Sequence, residues 1–200
     1  MNATVDLHWD TLMASWGPPS LLSDTEAWSF AEQIQIGGRL VSVLGGETLL
    51  LHLCVHFTFH HAFDGLILLC DLFLVLRLEG GRIDWDRLLR KADRYRCRYA
   101  VYYALTCVQS LMWAHIPSPI LKRLRPAIPV RLLMPVTRLL LRDRPVPQLL
   151  ERYVKFLLID DQAGRWRAAQ SWRRSSKPWL INRNRASRRS TTIDITAPGA

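Results

Sequence analysis

The chain holds 200 residues, 49% hydrophobic and 22% charged, with a net charge of +10; that is enough apolar material for a domain core and excludes disorder throughout. No run of 18 uncharged apolar residues occurs, and the start, MNATVDLHWD, has neither a basic nor an apolar leader region, so the reading is no membrane span and a cytoplasmic location. Residues 1–80 carry two Lys/Arg against nine Asp/Glu, a net of −7, whereas residues 81–200 carry 25 against eight, a net of +17; the second half is built to meet something anionic, whether nucleic acid, nucleotide or the acidic first half.

In chain order, ATVDLHW at residues 3–9 alternates apolar and polar side chains and predicts a short strand, with Val5, Leu7 and Trp9 on one face and Asp6 and His8 on the other. Residues 16–46 are loop-rich, with room for one helical turn, and IQIGGRLVSVL could add a hairpin. From there the period is helical. A first helix over about 47–62 is apolar nearly all round, hence buried. A second, about 64–78, ends at Gly80-Gly81, where glycine accepts a left-handed stop. Asp84 reads as the N-cap of a third helix reaching Asp93 or Arg94, with Asp86 in its first turn. A fourth covers roughly 97–113 and stops before IPSP. Prolines at 117, 119, 126, 129, 135, 145 and 147 cut the next stretch into short helices. An amphipathic pair over about 148–158 and 162–172 completes the fold. Then RRSSKPWLINRNRASRR packs seven Lys/Arg into 17 residues without an acid, so 173–200 is expected to be a basic, largely disordered tail.

The fold class expected is therefore mainly α: a remnant strand or hairpin with its loop over 1–46, a helical domain over 47–172, and the tail. Cys54, Cys70, Cys97 and Cys107 lie in apolar helical patterns without a CxxC pair, which reads as reduced thiols.

Several side chains could carry chemistry. His52, His56 and His60 share one helix face, so neighbouring imidazoles, with Asp71 from the facing helix, could hold a metal. Three residues spaced by four span about 12 Å of axis, too far for one ion, and Cys54 points away. The pattern favours a hydrogen-bonded polar seam with Asp71 as acceptor; His61 and His115 carry no signal. Asp84-x-Asp86 superficially matches a magnesium pair, but its place before a helix favours capping, and Asp160-Asp161 reads the same way. Asp6, on a strand between apolar neighbours, could reach a metal from a rigid support or simply face solvent. RWRAAQSWRRSSKPW interleaves aromatic and basic residues, which suits nucleic acid over about 165–189, although a surface helix with docked tryptophans looks the same.

Taken in order, VDLHW, ETLLLHLCVHFTFHHAF, LLCDLFLVL, IDWDRLLRKA and YALTCVQSLMWAHIP resemble the bacterial family of uncharacterised nucleotidyltransferases, in the nucleotidyltransferase-fold superfamily, over roughly residues 3–170. The resemblance implies transfer of a nucleoside monophosphate from an NTP to a hydroxyl or similar acceptor, with Mg²⁺ as cofactor. It also implies a Gly-Ser turn, an Asp-x-Asp strand and a third carboxylate on a later strand; Asp6 matches the third. No Gly-Ser dipeptide occurs in the chain, and Asp84-x-Asp86 does not follow a strand and glycine turn. The expectation is thus the C-terminal helical part of a family member, truncated and inactive alone, whose partner would be a separate catalytic half, an acceptor protein or a small molecule. The competing expectation is a non-enzymatic binding module using the basic half.

Overall fold

The computed structural model describes residue 29 and residues 31–63, 65–126 and 148–174. The expected strand at 3–9, with Asp6, and the tail beyond 174 lie outside the described residues, as does most of the proline-rich stretch.

The first elements are β1 (Ala31–Ile36) and β2 (Arg39–Leu44), an antiparallel pair in which Ala31 faces Leu44 and Ile36 faces Arg39. Gly37 and Gly38 both adopt positive φ, 56° and 79°, the combination a two-residue turn needs to match strand twist. The anticipated hairpin is therefore present. Across it Gln33 Nε2 donates to Ser42 Oγ.

Helix α1 (Gly46–Val55) is packed on most sides: Leu50, Leu51, Cys54 and Val55 are buried. The helix expected to run unbroken to 62 changes character at its end. Residues His56–His60 form a π turn, closed by His61 N–H donating to His56 O at 3.1 Å. The cause lies in the sequence HFTFHHAF. Thr58 Oγ1 donates back to the carbonyls of Cys54, 2.8 Å, and Val55, 3.3 Å, competing with the backbone ladder as such residues do within helices. Ala62 and Phe63 then take left-handed φ of 50° and 67°, which reverses the chain and drives Phe63 into the core, edge-on to Phe57 at 5.2 Å between ring centroids.

Helix α2 (Leu66–Glu79) ends close to the expected Gly80-Gly81, by another device than expected. Gly80 has φ of −54° and is not left-handed; a Cβ there would collide with the Leu76 carbonyl oxygen, so glycine is required for close approach. The stop is completed by Arg82 and Ile83 N–H groups, both donating to Glu79 O. Helix α3 (Trp85–Arg94) is capped as anticipated, Asp84 Oδ1 accepting from Arg87 N–H at 2.9 Å.

Helix α4 (Arg98–Met112) is the centre of the molecule. Residues 100–105, Cys107 and Val108 are buried, and α1, the π turn, α2, α3 and the short α5 (Ser118–Leu124) all pack on it. Helices α6 (Gln148–Leu157) and α7 (Gln162–Arg174) follow and, with the turn that joins them, add Val154, Leu158, Ile159 and Ala168 to the core. The seven α-helices and the single hairpin among the described residues give the mainly α class expected. All four cysteines are free thiols.

The adjacent carboxylates at 160 and 161 are both caps, on different helices. Asp160 accepts from Arg98 N–H at 2.7 Å and Tyr99 N–H at 2.9 Å, satisfying two orphan donors at the start of α4 from 62 residues away. Asp161 caps α7 through Gly164 N–H and accepts from Arg96 at 3.1 Å. Burial pushes the Asp160 carboxyl up, partly offset by the two N–H groups it accepts from. The Gly164 N–H and the Arg96 guanidinium hold Asp161 below the ordinary value of 3.8. A carboxylate with a depressed value stabilises the fold above its unfolded pKa and loses that contribution as pH falls through the folded one. Asp161→Ala is therefore expected to lower stability by about 1 kcal/mol at neutral pH, and by much less at pH 2; urea titrations at the two pH values check this. For Asp160→Ala the loss at neutral pH is expected to be larger, about 1–3 kcal/mol, because two N–H donors are left without their acceptor.

Candidate functional site

The histidine face is assembled by the π turn. In an α-helix, side chains four apart are offset by a fraction of a turn, whereas the i→i+5 bonding of a π turn widens the coil and brings His56 and His60 almost face to face. Their rings stack at 4.8 Å with 13° between planes, and His52 extends the stack onto His56 at 5.5 Å. His61, for which the sequence offered no signal, joins it: its Nε2 lies 3.1 Å from His56 Nε2, a hydrogen bond between one protonated and one unprotonated ring nitrogen. Asp71, expected as the acceptor of the seam, makes no hydrogen bond to these imidazoles among the described residues. The widened turn sets His61 against His56 in its place. Among the described residues no three His, Cys, Asp or Glu side chains are grouped to hold a metal. On the solvent side, Lys155 of α6 reaches the His60 carbonyl at 3.4 Å and pairs with Glu151 at 2.7 Å.

A second polar cluster lies under the start of α1. Glu47, Thr48 and Lys91 are buried among apolar neighbours. Glu47 Oε1 accepts from Asp84 N–H at 2.8 Å, and its Oε2 lies 3.7 Å from Arg87; Lys91 Nζ donates to Thr48 Oγ1. Glu47 thereby satisfies the backbone of the very residue that caps α3, so α1 and α3 are locked at their N-terminal ends. Above this cluster a cleft of about 380 Å³ opens between the hairpin and the α2–α3 turn, with Glu32, Glu79, Arg82 and Arg87 on its walls. Glu32 sits directly over Gly45, where a Cβ would overlap its carboxylate. Sequence reasoning did not single out this cluster. Its signal was a lysine on the apolar side of an amphipathic helix, which gains meaning only once Thr48 is known to face it.

Asp84 and Asp86 do not form a metal pair. Asp84 caps α3, and Asp86 accepts from Arg123 of α5. Of the residues expected to act, Asp6 lies outside the described residues, while His52, His56 and His60 are brought together with His61 and apart from Asp71. Cys54 and Cys97 are buried, which pushes both thiols well above their ordinary value and keeps them un-ionised.

The architecture is that of a helical domain fronted by a hairpin, and the chain belongs to the family of uncharacterised nucleotidyltransferases, whose sequence profile matches residues 1–113. The match takes in the VDLHW segment, the hairpin, the histidine turn and α1 to α4, and ends before the C-terminal helices. No curated protein and no solved structure matches the chain. No helix among the described residues is long and apolar enough to cross a membrane.

Thr48→Val removes one acceptor of a buried ammonium without changing side-chain volume, and is expected to destabilise the fold by about 1 kcal/mol, read from chemical denaturation. After gentle purification without added metal, elemental analysis is expected to give less than about 0.3 metal per chain.

Proposed function

We propose that this chain is the C-terminal helical part of a bacterial nucleotidyltransferase-fold enzyme that moves a nucleoside monophosphate from an NTP to a hydroxyl or similar acceptor. The observation that carries the reading is the family match over residues 1–113, which includes Val5-Asp6-Leu7. In this reading residues 1–46 are the remainder of the catalytic sheet, 47–172 the helical domain, and Asp6 the third carboxylate of the metal site. Mg²⁺ would there stabilise the attacking oxygen, the phosphoryl oxygens and the leaving pyrophosphate. The residues of this chain do not suffice to hold it. It has no Gly-Ser dipeptide to grip phosphates, and both members of its one Asp-x-Asp are engaged in a cap and an ion pair. A single carboxylate does not hold a metal pair. In this reading the Gly-Ser turn and paired carboxylates are supplied from outside these 200 residues, and the chain by itself, working in the cytoplasm, has no turnover.

A second reading is supported by α7, where Trp166 is 61% exposed beside the exposed Arg167: a helical binding module that contacts nucleic acid or a protein through residues 165–189. Generic RNA or DNA binding that weakens steeply with salt is its signature.

Pyrophosphate release separates the two. With Mg²⁺ and an NTP the chain alone is expected to release none; supplied with a half bearing the Gly-Ser and Asp-x-Asp motifs, release should appear, and Asp6→Ala should reduce it by roughly 100-fold or more. No release from the combined halves would remove the enzyme reading.

A further inference from the structure

The exit of α4 carries a residue that serves folding poorly. Trp113 closes the helix in the left-handed conformation, φ 54°, a position that helices commonly give to glycine because a Cβ is strained there. Its side chain is 88% exposed, so the indole returns almost none of the burial that would offset the strain. Strained backbone and an exposed indole on one residue mark a binding position.

Its surroundings give the ligand's chemistry. Trp113 lines a cavity of about 440 Å³ between the last turns of α2, the start of α3 and the chain leaving α4. Phe73 and Trp85 supply further aromatic wall, while Arg77 and His115 supply donors. No carboxylate lines the cavity among the described residues. Arg77 is exposed and makes no ion pair among them. Glu79, one helical face away, is turned to the other cleft and pairs with Arg82 at 3.6 Å. The carbonyls at the end of α2 oppose an anion with about half an elementary charge; those of Leu76 and Glu79 are hydrogen-bonded, and the full charge of Arg77 outweighs the remainder. Aromatic walls with one guanidinium suit a flat ring that carries an anionic group, and the volume is within the range of small-molecule sites.

We propose that this cavity binds a mononucleotide, its base stacked on Trp113 and its phosphate held by Arg77. The site uses none of the residues assigned to nucleotidyl transfer and stands whether or not that reading holds.

The test is calorimetry on the full chain with AMP, adenosine, inorganic phosphate and 2-naphthoate as probes. AMP should bind saturably, adenosine roughly tenfold more weakly, and phosphate alone not saturably. Trp113→Gly should weaken AMP binding by about tenfold or more while leaving the melting temperature unchanged or raised, since glycine suits this φ. Arg77→Gln should bring AMP down to the affinity of adenosine. The proposal is overturned by absence of AMP binding, by full affinity in Trp113→Gly, or by naphthoate binding as tightly as AMP.

Discussion

Helix α4 is enclosed, and most of the architecture answers to that enclosure. A helix with solvent along one face can leave its first N–H groups to water. One packed against α1, the π turn, α2, α3 and α5 needs protein acceptors for them, because unpaired donors in a dry setting are costly. Asp160 meets this need from the far end of the chain. The C-terminal helices are thus joined to the core by a carboxylate fitted to backbone as well as by apolar contact, and two buried residues between them, Leu158 and Ile159, immediately precede it.

The π turn shows how local backbone strain is balanced by tertiary burial. Two consecutive non-glycine residues in left-handed geometry, Ala62 and Phe63, cost about 1–3 kcal/mol each. Full burial of the Phe63 ring recovers roughly 1.5–3 kcal/mol, and its edge-on contact with Phe57 adds about 0.5–1.5 kcal/mol. The exchange is nearly even, so the widened coil can persist without a large stability cost, and the imidazole stack follows from it. The four histidines are neighbours because the chain must turn to bury a phenylalanine.

Which parts were legible in the sequence follows from the range of the forces involved. The hairpin turn, the Asp84 cap and the ends of α3 and α4 depend on residues within a few positions, and Gly37-Gly38, Asp84 and the IPSP break announced them. The double cap at 160 and 161 was legible as capping, though not as capping two different helices, since Arg98 and Tyr99 are 61 or more positions away. The π turn was not legible, because the Thr58 back-bond competes successfully only where Phe63 is drawn inward. Lys91 was invisible for the same reason: its acceptor Thr48 Oγ1, one of its partners, is 43 residues distant. The family resemblance, by contrast, rested on short motifs in a fixed order and survives comparison over residues 1–113, while Asp6 lies outside the described residues.

The cysteines give the molecule built-in reporters of its own opening. Cys54, Cys97 and Cys107 are buried on α1, ahead of α4 and within α4, whereas Cys70 on α2 is half-buried. A thiol reagent attacks thiolate that it can reach, so Cys70 marks the reaction rate of the closed protein. The other three become reactive only when the helices around α4 part. Their separate labelling rates would distinguish a loosening confined to one end from unfolding of the whole core, with no probe added to the chain.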